Sequence, residues 1–157
     1  MSRMLLNSER PPAYNPIHIF AAARRSLVTD SIPADRFYTR DHLWVRAEAS
    51  LVRVGLTEVA QDALGTVLLV ELAELGREQN AGDPFGSIES SKAVTDLRQP
   101  FPGTVVQANV ALAEAPQAIN RDPYGAGWIC LIAPRGEIEE SVLLDSSGYS
   151  ALLGISG

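Results

Sequence analysis

Gly86-Ser87-Ile88-Glu89-Ser90-Ser91-Lys92-Ala93-Val94-Thr95-Asp96-Leu97 sets two segments of strand-like alternation on either side of a polar turn. Lys92 is the only lysine in the chain; the other twelve basic residues are arginines. A lysine amine, once deprotonated, is a nucleophile from which an acyl arm can hang as an amide, whereas an arginine side chain stays protonated and cannot serve. The stretch therefore reads as a covalent attachment point on a reversing turn. From composition alone, the solvated turn lysine of a chain that favours arginine is the preferred reading, and the surrounding motifs change the balance.

Outward from this turn the chain is rich in strand patterns. Residues 44–48 and 51–56 alternate charged and apolar positions, as half-buried strands do, with Ala49-Ser50 as the turn between them. Thr57 is placed to cap a short helix over 58–64, with Glu58 at its positive end, and Gly65 follows where a left-handed residue usually ends a helix. The β-branched, nearly continuous apolar run 66–72 predicts a strand covered on both faces. Segments 85–90 and 93–98 form the lysine hairpin, and 103–110 is a further strand. Gly-Thr-Val occurs at 65–67 and again at 103–105, in keeping with a flattened barrel of two related halves. Residues 111–117 suit a helical turn or two, 120–125 a turn cluster, 127–132 a last strand, and 137–144 and 148–153 short outer helices. The fold class is β-rich with small helices at its edges.

Composition bounds what such a chain does. At 157 residues it can bury a core without staples. A net charge of −6 with no basic stripe argues against nucleic-acid binding and favours approach to basic patches on partner proteins. A single cysteine, Cys130, excludes an internal disulfide and fits a reducing compartment. No apolar run nears the roughly 20 residues that span a bilayer. Residues 1–36 contain Arg3, Arg10, Arg24 and Arg25, three prolines before residue 17, and a short apolar run over 17–23. They read as a cytoplasmic extension with one short helix after Asn15-Pro16; the alternative is a mitochondrial transit peptide.

Chemistry of the chain's own is hard to find. His18 and His42 are the only histidines, and neither has metal-ligand spacing to Cys130 or to a carboxylate pair. Cys130 sits in an apolar setting that suits a small buried hydrophobe. Ser90 and Ser91 have no neighbouring base, and no glycine-rich phosphate loop follows a strand. Glu89 and Asp96, on either side of Lys92, read as an acidic mark for a modifying enzyme or as ordinary strand charge. The expectation is a non-catalytic carrier.

Several runs carry a resemblance: 38–45 (Tyr-Thr-Arg-Asp-His-Leu-Trp-Val), 54–61, 70–72, Phe85-Gly86, Glu89-Ser90-Ser91-Lys92-Ala93, Asp96-Leu97, Pro100, Gly103 and 120–128. In these, residues 37–133 resemble the H protein family of the glycine cleavage system, within the lipoyl-domain superfamily. Ser147-Gly148-Tyr149 is similar to that family's closing helix. The resemblance implies a barrel-sandwich hybrid of two small antiparallel sheets, a carrier domain over 37–133 and a helical segment over 134–157 packed on it. It implies lipoate in amide linkage on Lys92, with Glu89, Ser90, Ser91, Ala93 and Asp96 as the recognition of the hairpin, and no metal. A biotin carrier would flank its lysine with methionines; here Ser91 and Ala93 do so. The implied partners are a pyridoxal-phosphate glycine decarboxylase, a tetrahydrofolate-dependent aminomethyltransferase, dihydrolipoamide dehydrogenase, and a lipoyl ligase or octanoyl transferase. Three positions depart from the family: Leu43 stands where a glutamate is usual, Ala63 where a polar residue is frequent, and Arg98 where an aromatic is common. They motivate one alternative, an H-like lipoyl carrier for another pathway such as lipoate-dependent sulfur oxidation; a separate alternative is an unmodified binding module that keeps the fold.

Overall fold

The alternating segments 44–48 and 51–56 become a hairpin of β2 (Leu43–Glu48) and β3 (Leu51–Leu56), paired from Leu43↔Leu56 to Glu48↔Leu51. Ala49 turns the corner with a positive φ of 55°. β1 (Phe37–Tyr38), β5 (Glu78–Gln79), β8 (Gly103–Ala108) and β9 (Cys130–Pro134) complete a six-stranded antiparallel sheet in the order β1-β2-β3-β9-β8-β5. A smaller antiparallel sheet, β4-β6-β7, is built from β4 (Val67–Leu72), β6 (Pro84–Ser90) and β7 (Val94–Arg98). This computed structural model describes residues 32–72 and 74–154. The helix expected after Asn15-Pro16 lies outside the described residues. The architecture is strand-rich with two antiparallel sheets and short helices, as the sequence predicts. None of the described helices is long and apolar enough to cross a membrane.

Two buried clusters hold the sheets. The main core joins Phe85, Ile88 and Leu97 of the small sheet to Val45, Val54, Val105 and Ile132 of the large one. Each such side chain contributes roughly 1.5–3 kcal/mol by leaving water. Both Gly-Thr-Val copies deliver a fully packed valine to it, Val67 and Val105. The second cluster gathers Tyr38, Trp44, Val59, Leu144, Tyr149, Leu152 and Leu153 on the opposite face of β1 and β2. Tyr38 and Tyr149 stack there with ring centroids 4.8 Å apart. Trp44 donates its Nε1–H to the Pro123 carbonyl at 2.9 Å. Gly55 lies flat beneath that indole, where a Cβ would approach it to 2.6 Å.

The helices follow from their caps. In α1 (Glu58–Leu64) the Thr57 Oγ1 accepts from the Ala60 N–H at 3.2 Å, and Gly65 closes the last turn with φ 78°. In α3 (Ser146–Leu152) the Asp145 carboxylate accepts from the Gly148 N–H at 2.7 Å. Between them, α2 (Ala118–Arg121) is a single turn preceded by a 3-10 turn, Val110–Ala113, that Asn109 caps.

Four expectations are corrected. β4 is not covered on both faces: Leu68 and Leu69 are exposed, because a bulge between Val67 and Leu69 adds a residue opposite β6 and turns both leucines out. Conversely β2, whose pattern suggests one wet face, is buried on both at Leu43, Trp44 and Val45, since α3 covers the Trp44 side. The last strand starts at Cys130 rather than Gly127, because Gly127 is held in the preceding turn by its N–H to the Asp122 carbonyl at 2.8 Å. The helix expected over 137–144 reduces to the 3-10 turn Glu140–Val142; the backbone of Leu144 is taken up instead by Tyr38, N–H to carbonyl in both directions at 2.8 Å.

Candidate functional site

Lys92 sits at the tip of the turn joining β6 to β7, and Ser90 makes that turn. The Ser90 N–H donates to the Ala93 carbonyl at 2.8 Å, and its Oγ accepts from the N–H groups of Lys92 and Ala93, both at 3.2 Å. One buried hydroxyl thus orders three residues, while Ser91, Lys92 and Ala93 stay exposed. Behind them the Ser91 N–H donates to the Thr66 carbonyl at 2.9 Å, tying the turn to the segment between α1 and β4.

That segment is the platform on which the lysine lies. Gly65 combines φ 78° with ψ −159°, a region open essentially to glycine. A Cβ there would meet the Ser91 Oγ at 2.9 Å and the Lys92 Cε at 3.4 Å. The bare backbone lets the lysine stem cross it, and the Nζ donates to the Ala63 carbonyl at 3.4 Å, at the negative end of α1. Asn120 fixes the platform from below. Its Nδ2 donates to the Gly65 carbonyl at 2.8 Å and to the Gln61 Oε1 at 2.9 Å, and its Oδ1 accepts from the Val67 N–H at 2.9 Å. The sequence shows Asn120 as part of a turn cluster and of the run 120–128, with no role of its own; three bonds to residues more than fifty positions away have no local signature.

Beside this platform a cleft of about 530 Å³ opens between the two sheets, and Ala63, Leu64 and Ala93 lie on its wall. Leu43, Leu56, Ala60 and Ile88 give it a hydrocarbon lining; Asp41 and Arg98 supply charges, and Asp96, on the outward face of the edge strand β7, stands at its rim. Leu43, the departure noted above, is only 2 % exposed and belongs to the core as much as to the cleft. Arg98 lies near Asp96 at 3.4 Å and donates to the Gly82 carbonyl at 3.1 Å.

The cleft's wall is anchored from behind through a junction the sequence did not reveal. His42, held at φ 68°, brings its Nδ1 within 2.7 Å of the Tyr149 hydroxyl, which also lies 2.8 Å from the Thr57 Oγ1. The Thr57 N–H donates to the His42 carbonyl at 3.1 Å, so the β1–β2 turn, the start of α1 and α3 meet at one buried point. Burial holds the Tyr149 phenol neutral, its pKa well above the ordinary range.

Of the predicted site residues, Lys92, Ser90, Ser91 and Ala93 come together on the turn. Glu89 and Asp96 face outward from the strands beneath it. Cys130 is fully buried and its thiol is pushed up to about 12 by desolvation, so it is no nucleophile at neutral pH. Among the described residues no three His, Cys, Asp or Glu side chains converge as metal ligands would.

An exposed, rigidly based lysine beside a sheltered apolar cleft is the arrangement of a carrier protein. Comparison with known proteins gives the family. The sequence model of the Glycine cleavage H-protein family matches residues 36–154, and the chain belongs to that family. It is 46 % identical over 124 residues to the glycine cleavage system H protein of a Thermus thermophilus strain, covering 78 % of this chain and 95 % of that one. The H protein of Myxococcus xanthus is 45 % identical over 126 residues, covering 80 % of this chain and 98 % of its own. The crystal structure of a glycine cleavage system H protein from Mycobacterium marinum superposes with a TM-score of 0.71 at 42 % identity, covering 79 % of this chain and all of that one. The chain is thus a carrier of the glycine cleavage system, and nothing in these likenesses favours the sulfur-oxidation or unmodified-module alternatives.

Proposed function

We propose that Lys92 bears lipoate in amide linkage. On this reading the chain shuttles an aminomethyl group and electrons from a pyridoxal-phosphate glycine decarboxylase to a tetrahydrofolate-dependent aminomethyltransferase and dihydrolipoamide dehydrogenase. The observation that carries it is the position of the chain's only lysine, at the exposed tip of a locked turn with its stem directed across Gly65 toward the cleft wall. The attaching enzyme is a lipoyl ligase or octanoyl transferase, and Glu89, Ser90, Ser91, Ala93 and Asp96 are what it reads. Likeness to bacterial relatives supports a cytoplasmic setting. Residues 37–133 serve as the carrier domain, with 134–157 packed on it and 1–36 as an extension.

The residues present suit such an arm. The hydrocarbon lining of the cleft matches an acyl chain, and the Ala63 carbonyl is placed to accept from the nitrogen at the end of the lysine stem. When bound, lipoate supplies a reducible disulfide; the protein supplies orientation and partner recognition. Ser90 keeps the attachment point from fraying, Gly65 leaves the path clear, and Leu43, Leu56 and Ile88 exclude water from the cleft. Asp41 and Asp96 offer negative charge to an ammonium at its edge, a service Leu43 cannot give. Tethering raises the local concentration of the carried group at each docked enzyme.

Intact mass of protein purified from its own cells tests the proposal. A lipoyl-sized increment, mapped to the peptide containing Lys92, is the expected result. A bare lysine in cells whose other lipoate carriers are charged overturns it.

A further inference from the structure

The outward face of the lysine-bearing sheet has no covering element among the described residues, and its composition is unusual. The registers Leu69↔Glu89 and Glu89↔Val94 set these three residues side by side across β4, β6 and β7, on one face. The next row on that face is Glu71, Ser87 and Asp96. The inward residues Val70, Ile88 and Leu97 belong to the core. The face thus carries two apolar side chains among three carboxylates. Val94 is 67 % exposed, Leu69 42 % and Leu68, the bulge residue, 49 %. Ordinary β propensity does not call for a bulge that turns two leucines into water. Bulges that re-aim side chains recur next to functional sites, and clustered exposed apolar groups mark interaction surfaces.

Resting on the reading of Lys92 as the attachment point, we propose that the row Leu69–Glu89–Val94 is the docking surface for the enzyme that acylates Lys92. That partner presents apolar side chains ringed by arginine or lysine. Three considerations select it. Strands lie about 4.8 Å apart, so the row spans about 10 Å directly beneath the turn, and an enzyme whose reactive centre reaches the Lys92 Nζ must cover it. The carboxylates Glu71, Glu89 and Asp96 outnumber the cations beside them, Arg98 on β7 and Arg77 in the hollow that Glu71, Ser87 and Asp96 line, and so call for a basic counterpart. A second copy of this chain is disfavoured, because it would set like charges opposite one another. In the reaction the Lys92 ammonium gives up a proton and its Nζ displaces the leaving group of an activated acyl, the adenylate's AMP or a carrier thiol. One amide forms as one acyl–oxygen or acyl–sulfur bond breaks, with no net oxidation.

The test uses the full chain with a bacterial lipoate–protein ligase, lipoate and ATP, following acylation by intact mass. Val94→Arg and Leu69→Arg are expected to lower kcat/KM for acylation at least about tenfold, the scale of a lost interface anchor. Melting temperatures should stay near that of the parent. Val106→Arg, at an exposed valine of the other sheet, is the control expected to leave acylation unchanged. The parent's KM is expected to rise with ionic strength. Parent-like acylation of both row variants overturns the inference while leaving the attachment reading intact, also if glycine-dependent exchange alone falls, since the face would then belong to a glycine-cleavage enzyme. A parent dimer that either row variant dissociates also overturns it. Failure of the parent itself to be acylated at Lys92 sinks the attachment reading instead.

Discussion

The two sheets treat their outer faces in opposite ways. Outside β1 and β2, Tyr38 and Trp44 are fully buried beneath the 123–128 turn and α3, whose own Tyr149 is fully buried against them, with indole, phenol and imidazole groups each engaged. Outside β4, β6 and β7, leucine and valine side chains face water beside carboxylates. One side is built for permanence, the other for encounters. A carrier needs both, because an attachment point visited by several enzymes must stay exposed without letting its base deform.

That contrast predicts a graded set of responses. Lys92→Arg should remove glycine-dependent carbon dioxide exchange down to background in a reconstituted system. Its unfolding free energy should stay within about 0.5 kcal/mol of the parent, as surface substitutions usually do. A large fall in its denaturant midpoint would make the lysine structural and dissolve the distinction between the two faces. Trp44→Ala, on the sealed side, should cost about 3–5 kcal/mol in chemical denaturation, the range for truncating a buried aromatic. Gly65→Ala should cost about 1–3 kcal/mol because its backbone conformation is essentially reserved for glycine. It should also slow acylation of Lys92, since the added methyl meets Ser91 and the lysine stem. Parent-like stability and acylation in that variant would show the platform to be pliable.

The smallest effect concerns Glu48, which pairs with Arg53 and Arg46 at the far end of the large sheet. The bond from Arg53, the largest influence, and that from Arg46 hold the Glu48 carboxyl down to about 2, against an ordinary 4.5. A depressed acid contributes stability above its unfolded pKa and loses it as pH falls through the folded one. Parent protein should therefore exceed Glu48→Gln by at most about 1 kcal/mol near neutrality, since the pair is partly exposed. The difference should fade between pH 4.5 and 2, as paired melts across that window will show.

Much of the fold was legible because it rests on short-range rules. Thr57 and Gly65 bound α1 as a capping hydroxyl and a positive-φ glycine should, and alternation located β2, β3 and the lysine hairpin. Periodicity misjudged β2 and β4 for the same reason in opposite senses. Whether a second face is covered depends on what arrives from elsewhere in the chain. α3 arrives over Trp44; no described element arrives over Leu69, and the bulge that exposes it leaves no mark in composition.

By itself the amino-acid sequence determined that this chain has one acylable side-chain amine, that a polar turn presents it, and which family's pattern surrounds it. Those are properties of residue identity and nearest neighbours. Tertiary structure alone decided that Asn120 pins the glycine platform, that His42, Thr57 and Tyr149 meet behind the cleft, and that Leu43 serves core and cleft at once. Each depends on groups far apart in the chain being brought within hydrogen-bonding or packing distance, and only the closed fold supplies that proximity.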